Sequence, residues 1–138
     1  MVSFTEFEDD IKNNFKELEK FGIDFSKARF FMPPYEWYNI EITGWSKKLG
    51  LEVISFTPGT GTNADYTTPD MKNYRSSKEI FKNLKQFEKK NESGLNGAII
   101  LIHPGTEPER TDKFYYKLND LIKYFEKKGY RFESINTI

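Results

Sequence analysis

The chain is predicted to fold as an α/β protein in which helices alternate with parallel strands. Helical periodicity and short apolar runs follow one another in the order α-β-α-β-α-β-α-β along 138 residues. Strands that are separated by helices pair in parallel through right-handed crossovers. A chain of this length can also bury a core of its own. We therefore expect a single domain over residues 1–138.

The first helix and the first strand have clear boundaries in the sequence. Ser3 and Glu6 fit a capping box, and Gly22 is placed to end the helix that they open. A short apolar and aromatic strand is expected at residues 28–32. The two prolines that begin at Pro33 end it, because proline cannot donate a ladder hydrogen bond.

The second helix and strand lead into a long polar loop. Asn39 is expected to cap the helix and Gly50 to end it. A strand over residues 51–56 follows, and then a polar stretch from Thr57 to Arg75. A structureless loop of this length inside a compact domain is usually functional. The alternative is a solvated connection with no role.

The last third of the chain predicts two helices and two strands. Ser76 and Glu79 form a second capping box. A third strand is expected at residues 98–103, a fourth helix at about 111–128, and a last strand at 130–135. The residues expected on the inner face of the fourth helix are Tyr115, Leu118, Ile122 and Phe125.

The composition excludes several classes of function. Cysteine is absent, which excludes disulfides and thiolate metal sites, and 21 basic residues balance 21 acidic ones, so no basic field favours nucleic acid. No run approaches the ~20 apolar residues of a membrane span. The N-terminus has neither the basic nor the apolar region of a signal peptide. We expect no nucleic-acid or membrane partner.

His103, the single histidine, ends an apolar run and is followed at once by Pro104 and Gly105. Four consecutive aliphatic residues precede it, which predicts a strand buried on both faces of a parallel sheet. Ligands bind and catalysis occurs at the carboxyl ends of such strands. The sequence therefore predicts a functional histidine, the alternative being a hydrogen-bonded residue with a structural role.

A second candidate site lies around the first strand. Arg29 on that strand needs a carboxylate or carbonyl partner. The segment 33–39 then combines rigid prolines, aromatic rings and one acid. Such rings beside polar groups suit a sugar, although the segment could equally be a packing corner before the helix. The chain has one histidine and no cysteine, which are too few ligands for a zinc site of the histidine-rich kind.

Several of these segments together resemble the NodB-like polysaccharide deacetylases, which remove acetyl groups from sugar polymers. Arg29 with Pro33-Pro34-Tyr35 resembles the third motif of that family, and Leu101-Ile102-His103 resembles its fifth. Residues 128–132 are similar to the ending of its last helix. The segments 56–60 and 63–67 resemble a branch from Bacteroides-type gut bacteria. The resemblance covers nearly the whole chain and implies part of a distorted (β/α) barrel of seven strands.

The resemblance also implies a reaction and a set of roles. In the family, a divalent, zinc-like metal ion activates a water molecule that attacks the acetyl carbonyl. His103 would be the general acid, Arg29 would orient the catalytic aspartate, and the N–H of Tyr35 would bind the oxyanion. Asp65 with Tyr66 is the nearest match to the fourth motif. The residues that would contact the carbohydrate are Pro34, Glu36, Trp37, Asp65 and Tyr66.

The chain departs from the family in its first two motifs. The Thr-Phe-Asp-Asp and His-x-x-x-His motifs, which supply the base and metal ligands, are missing from this sequence. We therefore expect the C-terminal half of a deacetylase, inactive alone, that forms a homo-oligomer or joins a missing N-terminal half. Full-length members of the family are often exported. The alternatives are a non-catalytic carbohydrate-binding domain that uses Tyr35, Trp37 and Tyr66, and a structural domain.

Overall fold

The structure is a computed structural model that describes residues 2–137. Its contacts group the chain into two compact units, Met1–Ser55 and Phe56–Ile138. The expectation of a single domain stays a prediction. No helix within the described residues has the length and apolar character needed to cross a membrane.

The first unit contains two helices and a two-stranded parallel sheet. Helix α1 spans Phe4–Glu19, strand β1 Phe30–Phe31, helix α2 Ile40–Lys48 and strand β2 Glu52–Val53. The strands pair in parallel, with Phe30 opposite Glu52 and Phe31 opposite Val53. The core of this unit packs α1 and α2 around the sheet. Its buried residues are Phe7, Ile11 and Leu51.

The second unit is built on two helices and short 3-10 turns. Helix α3 spans Ser77–Lys90 and helix α4 spans Leu118–Glu126, with 3-10 turns at Thr62–Tyr66 and Phe114–Lys117. A cluster of fully buried side chains holds these elements together. Its members are Ile80, Leu84, Phe114, Leu121 and Phe125.

The predicted helix caps are confirmed. Ser3 accepts the N–H of Glu6, whose carboxylate accepts the Ser3 N–H in return. Ser76 and Glu79 repeat this exchange at the start of α3. Asn39 caps α2 by accepting the N–H of Ile42. Each cap satisfies backbone donors that have no partner inside the helix.

The seven-stranded barrel that the resemblance implied is wrong. The described residues form only two strands, each two residues long, in one sheet. Strands were also expected at residues 98–103 and 130–135, but neither segment joins a ladder. A strand exists only where a neighbour accepts and donates its backbone hydrogen bonds. Between the run at 98–103 and the segment that begins at Thr57 there is a single backbone hydrogen bond, in which the N–H of Thr57 donates to the Ile99 carbonyl at 2.9 Å.

Two further predictions about the second unit are wrong. The apolar residues at 98–102 are half-buried, not covered on both faces. The fourth helix begins at Leu118 instead of near Thr111, because a 3-10 turn at Phe114–Lys117 precedes it. Phe125 of the expected inner face is buried as predicted, whereas Leu118 is exposed and Leu121 is buried.

Candidate functional site

Asp65 holds His103 through both oxygens of its carboxylate. Oδ2 accepts the backbone N–H of His103 at 2.7 Å, and Oδ1 lies 2.6 Å from Nδ1 of the imidazole. An ionised carboxylate can only accept, so Nδ1 carries the proton and donates it to Oδ1. The Asp65 side chain is fully buried, whereas that of His103 is 36% exposed. The pair is thus anchored inside the unit and reaches the surface through the imidazole.

The core of the second unit positions both members of this pair. Asp65 lies on the 3-10 turn Thr62–Tyr66, and His103 follows the apolar run. The residues that precede them, Ala64 and Ile102, pack on the same buried cluster. Packed side chains fix the backbone on each side, which leaves the carboxylate and the imidazole little freedom to separate.

Tyr66 completes the surroundings of the imidazole. Its ring meets that of His103 edge to face, with the ring centroids 5.7 Å apart. Tyr66 is itself partly exposed. The predicted residues Asp65, Tyr66 and His103 therefore lie together, and an aromatic surface borders the imidazole at the solvent boundary.

The predicted loop from Thr57 to Arg75 is more ordered than a solvated connection. Thr60, Thr62, Thr67 and Thr68 are all buried within it. The Thr68 hydroxyl donates to the Asp70 carboxylate at 2.5 Å. This hydrogen bond, aided by the backbone N–H of Asp70, holds the pKa of that carboxyl below its usual value. The loop is a polar scaffold that carries Asp65.

Two residues that hold this loop and the start of α3 were not identified from the sequence. Arg110 is fully buried and donates to the carbonyls of Thr67 and Arg75. Asp112 accepts the N–H of Ser77 at 2.6 Å, and the Ser77 hydroxyl donates to the Asp112 carbonyl at 2.9 Å. Both are charged residues in a polar segment, a pattern that is typical of solvated loops and gives no signal of burial.

The remaining predicted site residues belong to the first unit. The Nε–H of Arg29 donates to the Glu52 carboxylate at 3.4 Å across the two strands. This is the carboxylate partner that an arginine on a strand was expected to need. An orienting role toward a catalytic aspartate stays a prediction.

The segment after β1 exposes aromatic rings on a strained backbone. Tyr35 and Glu36 both have positive φ, 57° and 56°, which side chains other than glycine rarely adopt. The exposed residues of the segment 33–39 are Pro34, Tyr35, Trp37, Tyr38 and Asn39. The Tyr35 N–H donates to no other described residue, while the N–H of Glu36 is bound to the Pro33 carbonyl. The Tyr35 N–H is therefore available for the oxyanion role that the resemblance implies. That role stays a prediction.

The described residues do not fit the metal ion that the resemblance implies. No group of three or more histidine, cysteine, aspartate or glutamate side chains lies together among them. The family's ligand set requires two histidines, and this chain has one. The oxygens of Asp65 are moreover already engaged by His103.

Comparisons of this chain with family models, with curated proteins and with solved structures find no match. The resemblance to the polysaccharide deacetylases stays a prediction from the sequence motifs.

The Asp65–His103 pair is suited to proton transfer. Because Nδ1 is fixed by the carboxylate, Nε2 is the ring nitrogen that can gain or release a proton. No described residue binds Nε2. A buried carboxylate also stabilises the imidazolium that forms when Nε2 accepts a proton. This arrangement can act as a general acid or base toward a molecule bound beside Tyr66.

Proposed function

We propose that Asp65 and His103 form the general-acid pair of a hydrolase that removes acetyl groups from a sugar polymer, and that this chain is inactive by itself. The observation that supports the proposal is the two-point contact between the buried carboxylate and the histidine. The motif resemblance supplies the substrate class.

In such a reaction the imidazole would supply a proton to the leaving group. Asp65 keeps Nδ1 protonated, so the acid form is the imidazolium, which also carries a proton on Nε2. Once water has added to the acetyl carbonyl, Nε2 delivers this proton to the sugar nitrogen or oxygen as its bond to the acetyl carbon breaks. Tyr66 offers a ring edge and face beside the imidazole, and aromatic faces pack well against sugar rings. The water-activating half of the reaction has no counterpart among the described residues.

The proposal is tested by nuclear magnetic resonance of the imidazole. The chain has one histidine, so its ring signals belong to His103 without further assignment. We expect an acetylated chito-oligosaccharide to shift these signals in a saturable manner, and Tyr66→Ala to weaken the shift. Signals that stay unchanged at millimolar oligosaccharide would contradict a substrate site at this pair.

Inactivity of the isolated chain is tested by acetate release. We expect none from acetylated chito-oligosaccharide or acetyl-xylan, because the groups that activate water are missing. Acetate release that disappears in His103→Ala would show that this chain is a complete catalyst.

A second candidate function is carbohydrate binding without catalysis, at the aromatic segment of the first unit. The rings of Tyr35 and Trp37 lie 6.2 Å apart, and Trp37 is 82% exposed. Exposed aromatic rings held by a strained backbone are typical of binding sites. Oligosaccharides should then quench the fluorescence of Trp37, and Trp37→Phe should abolish the effect.

Trp45 provides the internal control for that measurement. It is the other tryptophan of the chain and packs against Phe7 in the core of the first unit. Quenching that persists in Trp37→Phe would therefore come from Trp45 and would contradict binding at the aromatic segment.

A further inference from the structure

Arg110 is a fully buried cation in the second unit. Its Nη1 donates to the Thr67 carbonyl at 2.5 Å, and its Nη2 donates to the Arg75 carbonyl at 3.0 Å. The guanidinium carbon lies 5.4 Å from the centre of the Tyr74 ring. No carboxylate among the described residues forms an ion pair with Arg110. Its buried Nε has no hydrogen-bond partner.

A guanidinium buried in this way is costly for the fold. Moving a charge out of water is unfavourable unless an opposite charge or several hydrogen bonds compensate. Arg110 has only carbonyl and hydroxyl oxygens and one ring to compensate it. What arginine offers in return is a rigid fork that can hold two separate carbonyls at once.

The two carbonyls that Arg110 binds belong to the loop from Thr57 to Arg75, one in its middle and one at its last residue. Thr67 follows Asp65 by two residues, and Arg75 immediately precedes the cap of α3. Thr67 is also bound to Ala64, the residue before Asp65. The N–H and the hydroxyl of Thr67 both donate to the Ala64 carbonyl, at 3.1 and 2.6 Å. The N–H of Arg75 donates in turn to the Thr67 hydroxyl at 3.3 Å.

We propose that Arg110 is a positioning residue for the Asp65–His103 pair. By binding the Thr67 carbonyl it fixes the turn that carries Asp65, and by binding the Arg75 carbonyl it ties that turn to the start of α3. The carboxylate is thereby held where it meets both the N–H and the imidazole of His103. This inference deepens the proposed function and depends on it for its catalytic meaning.

The test measures which imidazole nitrogen of His103 carries the proton in the free protein. Nitrogen chemical shifts at alkaline pH report the tautomer of the neutral ring, and a slowly exchanging Nδ1–H signal reports the contact with Asp65. In Arg110→Lys the charge remains but the fork is lost. We expect the Nδ1–H signal to disappear and the ring to become a mixture of both tautomers.

Two further variants separate positioning from stability. Ile11→Ala should destabilise the core of the first unit, which contains neither Asp65 nor His103, and it should keep the Nδ1–H signal. Arg110→Gln removes the buried charge and retains an amide group that can donate to one of the two carbonyls, so it should fold even if the lysine variant does not, and it should retain part of the signal. Far-ultraviolet circular dichroism establishes which variants are folded.

The outcomes separate the two proposals. A folded Arg110→Lys or Arg110→Gln protein that keeps the complete wild-type signal overturns the positioning role. Loss of the signal in Ile11→Ala also overturns it, because the signal would then report stability in general. A failure of both Arg110 variants to fold overturns it too, since Arg110 would then serve the fold as a whole. These signals are read without ligand, so a failure here leaves the oligosaccharide titration of the wild-type pair unaffected.

Discussion

Asp65 and His103 are separated by 37 residues of chain, yet one carboxylate binds both the backbone and the ring of the histidine. The first prediction concerns this contact. In Asp65→Asn the side chain has one acceptor oxygen and one NH2 donor, so it cannot accept from both the backbone N–H and Nδ1. We expect the protonated nitrogen to change from Nδ1 to a mixture of Nδ1 and Nε2. Nitrogen chemical shifts of the imidazole measure the change.

Asp70→Asn is the matched control for this prediction. Asp70 lies on the same loop, but its carboxylate binds Thr68 and not the histidine. The control should leave the imidazole spectrum unchanged. A wild-type spectrum in Asp65→Asn would mean that the carboxylate does not set the tautomer.

The helices could be predicted from the sequence because the signals that begin and end them are local. Ser3 with Glu6 and Ser76 with Glu79 form caps within four residues of chain, whatever the rest of the protein does. Strands need partners far along the chain. Nothing within the run at 98–103 tells whether a ladder partner exists, and the expected sheet was therefore wrong.

Part of the candidate site could be predicted for a related reason. His103 was identified because its apolar run and the proline after it are local features. Its burial partner Asp65 was found only through the motif resemblance, and Arg110 was missed. The burial of a charged residue in a loop depends on contacts with residues far along the chain. Its neighbours in sequence therefore do not predict that burial.

The second prediction concerns the capping box at the start of α3. The N–H and hydroxyl of Ser76 donate to Glu79 and lower the pKa of its carboxyl from the usual 4.5. A lowered pKa in the folded state means that the stabilisation is complete above pH 4.5 and is lost as the pH falls through the folded value. Glu79→Gln should therefore reduce the free energy of unfolding at neutral pH, and the difference from wild type should close below pH 4.5.

Glu92→Gln serves as the control for this pH dependence. Glu92 lies in the turn after α3 and forms no hydrogen bond or ion pair with another described residue. Urea denaturation at a series of pH values measures both variants. A difference between Glu79→Gln and wild type that is independent of pH would contradict the cap as its source. Ser76→Ala should separately cost about 1 kcal/mol at neutral pH.

The third prediction compares two leucines on one helix. Leu121 is 1% exposed and belongs to the core of the second unit, whereas Leu118 is 40% exposed on the first turn of α4. Leu121→Ala should cost about 2–5 kcal/mol, because the cavity it leaves adds to the lost burial. Leu118→Ala should cost less than about 1 kcal/mol. Thermal or urea unfolding measures both losses. Equal losses of unfolding free energy in the two variants would contradict the burial of Leu121 and the exposure of Leu118.

The fourth prediction is that the chain associates with itself through the apolar run that was expected to be a strand. Ile100, Leu101 and Ile102 are half-buried, and their N–H groups donate to no other described residue. A cavity of about 300 Å³ lies beside the run and is lined partly by Ile99, Ile100 and the segment 130–133. Unpaired amides next to apolar side chains favour the addition of a further strand.

The expected partner is a second copy of the chain. Light scattering at micromolar concentration measures this self-association. We expect a dimer or larger species. Leu101→Lys should shift the protein toward monomer, because a charge on an edge strand opposes pairing. Leu118→Lys, an equally drastic change at an exposed leucine away from the run, should leave the association unchanged. A monomeric wild-type protein, or one whose association responds equally to both substitutions, would contradict pairing through residues 100–102.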